Sequence, residues 1–169
     1  LLDKPNPPDH IIIETSGLAL PKPLLKAFSW PEVSTRATVD GVIAVIDSMA
    51  VAEGLFANDP MAVQAQREAD GSLDHESPLE ELFEEQLQSA DIIIYNKAEL
   101  IPDETWGQIE SQVAKHQRSR VKSLRASYGR IDASILLGLG LEAEFDLETR
   151  PSHHETCLLY TSDAADDSL

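Results

Sequence analysis

Four short apolar runs, each followed by a stretch of helical character, constrain this chain more than any other feature. They occupy residues 9–13, 39–47, 92–95 and 121–126. The first carries Ile11-Ile12-Ile13, the second Val42-Ile43-Ala44-Val45-Ile46 and the third Ile92-Ile93-Ile94-Tyr95. Continuous β-branched runs mark strands buried on both faces, as in a parallel sheet. The fourth is the weakest, because Lys122 and Arg125 interrupt it. Between the runs, residues 21–28 read as a short helix with proline in its first turn. Residues 48–57 read as a helix weakened by Gly54, and 61–69 as another short helix. Ser77 is a candidate cap, Pro78 a first helical residue and Glu80 the return arm of a capping box. Leu79, Leu82, Phe83 and Leu87 then share one face, which leaves Glu80, Glu81, Glu84 and Glu85 mostly toward solvent. Residues 102–116 form a helix with Trp106, Ile109 and Val113 inward, and 131–137 a last one closed by Gly138. Strand and helix alternate four times, so the expected fold is α/β, a doubly wound and mostly parallel sheet.

Charge narrows the function. The chain carries 30 acidic against 13 basic residues, a formal net charge of -17, which repels a phosphate backbone and argues against a nucleic-acid partner. The apolar runs are too short to cross a membrane. One cysteine excludes a disulfide framework and a cysteine-only metal site within these residues. With no leader pattern in view, the cytoplasm is the expected compartment.

In open parallel sheets, ligands bind beyond the carboxyl ends of the strands. Those ends carry Glu14-Thr15-Ser16-Gly17, Asp47-Ser48, Asn96-Lys97-Ala98-Glu99 and Ser127-Tyr128-Gly129. Asn96-Lys97-Ala98-Glu99 resembles the Asn-Lys-x-Asp guanine-specificity motif of GTPases, with glutamate in place of aspartate. A carboxylate there accepts from both N–H groups on the Watson–Crick edge of guanine, a donor pair adenine lacks. The stem of Lys97 can cover the base, and Asn96 can tie neighbouring loops together. Alternatively, the four residues are an ordinary polar loop between strand and helix. Glu14 can hold the water shell of Mg²⁺ or orient an attacking water. Gly17, three residues on, lets a backbone N–H approach a terminal phosphate. The competing reading is a capped turn in which Ser16 serves the next element.

The stretch Ile11-Ile12-Ile13-Glu14-Thr15-Ser16-Gly17-Leu18-Ala19-Leu20-Pro21-Lys22-Pro23 resembles the CobW family of GTPases, metal chaperones related to UreG and HypB. Trp30-Pro31-Glu32, Val39-Asp40-Gly41-Val42, the segment from His75 to Phe83, Asn96-Lys97-Ala98-Glu99-Leu100, Leu136-Leu137-Gly138-Leu139-Gly140 and Arg150-Pro151-Ser152-His153-His154 continue the likeness. It spans about residues 5–155. It implies a P-loop NTPase type of fold, with GTP and Mg²⁺ as ligands. Glu14 is then the catalytic residue and a water-mediated Mg²⁺ contact, and Gly17, Asn96, Lys97, Glu99 and Ser127 contact the nucleotide. His153 and His154 are candidates for a metal. The resemblance is nearest the cobalamin-biosynthesis branch, which implies Co²⁺ as cargo and a cobalt-insertion protein, a cobaltochelatase, as partner. A zinc-handling relative carrying Zn²⁺ is the alternative.

Two family features do not occur among these residues: the Gly-x-x-x-x-Gly-Lys-Ser/Thr phosphate loop and a Cys-x-Cys-Cys metal site. The expectation is a partial GTPase domain over 1–150, truncated at its N-terminal strand and phosphate loop, and by itself inactive. Residues 151–156 would begin a histidine-rich linker. Residues 157–169 resemble a translated sequencing adapter and are expected to be foreign to the fold.

Other readings stay in view. A nucleotide-gated scaffold of the partitioning type would share the fold without delivering metal. A nicotinamide oxidoreductase would need a better glycine fingerprint than Gly138-Leu139-Gly140, which reads as a helix C-terminal turn. Ser127 with Asp47 or a histidine lacks the glycine-flanked elbow of a nucleophile. His75 and His116 read as surface or capping residues.

Overall fold

The computed structural model describes residues 2–15, 17, 21–57, 59–69 and 79–140. The elements run α1 (Pro21–Phe28), α2 (Pro31–Ser34), β1 (Ile43–Asp47), α3 (Ser48–Ala52), α4 (Pro60–Ala69), α5 (Leu79–Ser89), β2 (Ile92–Asn96), α6 (Trp106–Ala114) and β3 (Lys122–Arg125). Short 3₁₀ turns lie at Ala98–Leu100, Asp103–Thr105 and Ala133–Ile135.

The three strands form one parallel sheet in the order β1-β2-β3. Ile43 pairs with Ile92 and Asp47 with Asn96, while Ile92 pairs with Lys122 and Tyr95 with Arg125. The two-residue period sorts the side chains onto two faces. Ile46, Ile93 and Tyr95 pack with Val51 of α3, Leu87 of α5, and Trp106, Ile109 and Val113 of α6. Ile92 and Ile94 lie on the opposite face, under Ala126, Leu124, Ile131, Leu136 and Leu139. This is an α/β fold built on a parallel sheet, as the run of strands and helices implies.

Polar contacts fix the ends of the elements. Trp106 meets the Tyr95 ring edge-on at 6.0 Å, and the Arg125 guanidinium lies 4.1 Å from the Trp106 ring centroid. Burial, reinforced by the nearby Glu110 charge, pushes the Tyr95 hydroxyl up to about 12. Just before β2, Asp91 accepts from the Val42 N–H at 2.9 Å and from Arg118 at 2.6 Å. Gly54, at φ 75°, ends α3: the Leu55 N–H reaches Ala50 O at 2.8 Å and the Gly54 N–H reaches Val51 O at 3.0 Å. That pairing is a Schellman cap, which needs a left-handed residue.

Three local expectations differ from the structure. Residues 10–15 are not a buried strand: they join no ladder and are exposed, Ile12 at 83%. β1 is an edge strand of the described sheet, and no described strand lies beside residues 10–15. A β-branched run becomes a strand only when its backbone groups find a partner. Residues 131–137 form only a 3₁₀ turn at Ala133–Ile135: Asp132 caps it, accepting from the Ser134 N–H at 2.9 Å and the Ser134 hydroxyl at 2.7 Å, and Gly138, at φ 71°, is already out of helical geometry. Finally, Glu85 is buried rather than solvated, as are Lys22 and Leu25 of α1, which packs against α5. The Ser77 cap, Pro78 and His75 lie outside the described residues, as do residues 141–169 with His153 and His154. Among the described residues, no helix is long and apolar enough to cross a membrane.

Candidate functional site

Asp47 and Asn96 close their strands side by side, as partners in the parallel register. Asp47 Oδ1 accepts from the backbone N–H groups of Met49 at 3.0 Å and Ala50 at 3.4 Å, capping α3. Its other oxygen accepts from Lys97 Nζ at 2.5 Å. The lysine is 38% exposed and the aspartate 21%, so solvent screens the pair and its stabilising effect is at most about 1 kcal/mol. Its larger effect is on geometry. Lys97 has φ 61° and ψ 32°, a left-handed conformation that turns the chain sharply out of β2. A side chain there costs about 1 kcal/mol or more. Two contacts hold the turn: the ion pair to Asp47 and the Ala98 N–H to Ala126 O at 3.0 Å.

Asn96 Oδ1 accepts from the Gly129 N–H at 2.9 Å, joining the loop after β2 to the loop after β3. That second loop is a tight turn, with Tyr128 at φ 55° and Gly129 at φ 67°, closed by the Arg130 N–H to Ser127 O at 3.1 Å. Ser127 is exposed at its start, and Glu99 is exposed within the 3₁₀ turn at Ala98–Leu100. The fold thus gathers Asn96, Lys97, Glu99 and Ser127 at the carboxyl edge of β2 and β3.

Glu14 and Gly17 are placed differently. Glu14 is exposed, ahead of α1 in the chain. The Gly17 carbonyl accepts from Gln86 Nε2 of α5 at 2.7 Å. No hydrogen bond among the described residues joins Glu14 or Gly17 to the Asn96 group. A single exposed carboxylate suits Mg²⁺, which keeps several waters and takes much of its coordination from nucleotide phosphates. No group of three or more His, Cys, Asp or Glu side chains able to hold a metal ion occurs among the described residues.

Two weaker readings are resolved by geometry. Gly138 and Gly140, at φ 71° and φ 60°, help turn their loop toward Asp40, whose carboxylate accepts from the Gly140 N–H at 2.5 Å. Hydrogen bonding from the Gly140 N–H, helped by those of Leu139 and Gly138, holds the Asp40 carboxyl below its ordinary pKa. This anion-binding concavity therefore holds an internal carboxylate rather than a dinucleotide. Asp47 is committed to Lys97 and the α3 cap, so it is not the acid of a Ser127 triad. His116 Nδ1 pairs with Glu84 at 2.8 Å, between α6 and α5.

Sequence reasoning passed over Asp47 as a partner of Lys97 and Gln86 as a partner of Gly17. An aspartate directly before Ser48, level with Asn96, was a usable signal for the first. A glutamine in an acidic helix, 69 residues from its acceptor, gave none for the second.

A parallel sheet with a polar strand-end edge is the α/β class that binds ligands beyond its strand ends. Residues 1–124 match the family described as "CobW/HypB/UreG, nucleotide-binding domain". The chain belongs to that family. It is 51% identical over 155 residues to a protein of Sinorhizobium sp named "Zinc chaperone CobW", covering 92% of this chain and 44% of that protein. It is 52% identical over 147 residues to a protein of the same name in Pseudomonas aeruginosa, covering 87% of this chain and 39% of that one. A more distant relative is "Zinc-regulated GTPase metalloprotein activator 1" of Schizosaccharomyces pombe, 29% identical over 126 residues, 73% of this chain and 25% of that protein. The chain thus spans about two fifths of the length of its bacterial relatives. No solved structure matches.

Proposed function

We propose that the protein carrying this chain binds and hydrolyses GTP, and couples that cycle to delivery of a metal ion. The observation that carries the reading is the strand-end arrangement around Asn96-Lys97-Ala98-Glu99. Asp47 orients Lys97, Asn96 fastens the loop after β3, and Glu99 is left exposed. In this reading Glu99 accepts from the N1–H and exocyclic amine of guanine. The stem of Lys97 lies along the base, and Ser127 borders it. Glu14 holds the attacking water or the metal's hydration shell, and a Gly17 backbone N–H faces the terminal phosphate. Mg²⁺ bound with the nucleotide would neutralise phosphate charge, which matters in a chain of net charge -17. Residues 1–150 are proposed as part of the GTPase domain and 151–156 as the start of a linker.

The names of the bacterial relatives favour zinc as the cargo. Cobalt delivery to a cobaltochelatase, expected from the sequence, rests on the family likeness alone. The family and the three relatives' names favour metal delivery over a scaffold role. The test is a transfer assay with the protein from its whole reading frame, loaded with Zn²⁺ or Co²⁺ and mixed with a chromogenic chelator. GTP-dependent release of Zn²⁺, with none driven by ATP, is expected. Release of neither ion would remove the chaperone reading.

A further inference from the structure

We propose that Gln86 is a positioning residue for the phosphate-facing turn at Gly17. The inference rests on the GTP reading above and goes beyond it. Gly17 is exposed, and nothing lies within 4 Å of the place a Cβ would occupy. Packing therefore does not fix it, and glycine has the widest backbone freedom of any residue. Glu14 and Thr15 before it are exposed too. Among the described residues, Gln86 Nε2 donates to the Gly17 carbonyl at 2.7 Å.

The two ends of that bond differ in burial around them. Gln86 stands on α5 between Glu85 and Leu87, both buried, with Leu87 at the centre of the core beside Ile93 and Ile109. The donor thus stands on a helix seated in the core, while the acceptor is exposed, so the helix positions the turn. Holding the carbonyl against α5 restricts the ψ of Gly17 and leaves its opposite side for a ligand. α5 also leads, through only Ala90 and Asp91, into β2, whose end carries Asn96, Lys97 and Glu99. One rigid helix–strand unit therefore sets the spacing between the turn proposed to face the terminal phosphate and the loop proposed to read the base.

The consequence is selective. A diphosphate lacks the group that Gly17 would meet, so the Gln86 bond matters for GTP and not for GDP. The experiment uses the protein from its whole reading frame, with Gln86→Glu and Gln86→Met. Ionised glutamate keeps the length but cannot donate, and methionine keeps the length without polarity. GDP affinity should stay within about twofold of the parent. Affinity for a non-hydrolysable GTP analogue and kcat should each fall up to about tenfold, the effect of one lost hydrogen bond. Retained GDP binding also reports a folded domain. Equal losses for GDP and the analogue would make Gln86 merely structural, and no loss for either would make the bond incidental. Either result overturns the proposal while leaving GTP binding intact. A parent that binds neither nucleotide would overturn both this inference and the reading beneath it.

Discussion

Asn96 at the end of β2 accepts a hydrogen bond from the backbone N–H of Gly129 at 2.9 Å, so the loop after one strand is fastened to the loop after the next. Asn96→Asp keeps an acceptor at the same reach, whereas Asn96→Ala removes it. The alanine variant should lose about 1 kcal/mol of stability and the aspartate variant less. Urea denaturation midpoints at constant slope measure the difference.

The turn at Lys97 combines a left-handed backbone with an ion pair. Lys97→Gly removes the charge but suits φ 61°, while Lys97→Ala removes the charge and keeps the strain. The glycine variant should therefore be more stable than the alanine variant by about 1 kcal/mol. Thermal unfolding of the pair measures this, and the opposite order would show that the turn is not held in the left-handed region.

Asp40 gives the fold a dependence on acid. Its carboxyl sits below the ordinary 3.8, chiefly because of the Gly140 N–H. The folded state favours the ionised form, so the stabilisation is present above the unfolded value. It is lost as pH falls through the lower folded value. Asp40→Asn should flatten that part of the stability–pH curve, read from denaturation midpoints at successive pH values. An unchanged acid limb in the variant would show that Asp40 does not contribute.

Much of this arrangement could be read from the sequence, for identifiable reasons. Trp106, Ile109 and Val113 recur at helical spacing, and all three are buried. Ile92-Ile93-Ile94-Tyr95 is a continuous apolar run, and it is the central strand. The polar residues after β2 and β3 followed from the rule that parallel sheets bind ligands at their carboxyl ends. Ile11-Ile12-Ile13 has the same composition as the central strand but joins no ladder, because strand formation depends on a neighbour that local pattern cannot supply. The Gly17–Gln86 and Asp47–Lys97 contacts join residues 69 and 50 positions apart. Such pairs are fixed by topology and leave no periodic trace.

Glu14 is proposed to act on water rather than on the nucleotide's affinity. Glu14→Gln in the protein from its whole reading frame should keep GTP affinity while lowering kcat, since an amide neither takes a proton nor strengthens the metal's water shell. Single-turnover phosphate release with matched binding curves separates the two effects. Undiminished turnover would remove Glu14 from the site.

The most direct measurement compares GTP and ATP binding to the protein from its whole reading frame, by calorimetry with Mg²⁺ present, for the parent and Glu99→Ala. The parent should prefer GTP. The Glu99→Ala variant should lose roughly 2–4 kcal/mol of GTP affinity through the missing charge-assisted bonds, with ATP affinity little changed. Equal affinity for GTP and ATP in the parent, or an unaltered preference in Glu99→Ala, would contradict the assignment of the β2 strand end as the guanine-reading site.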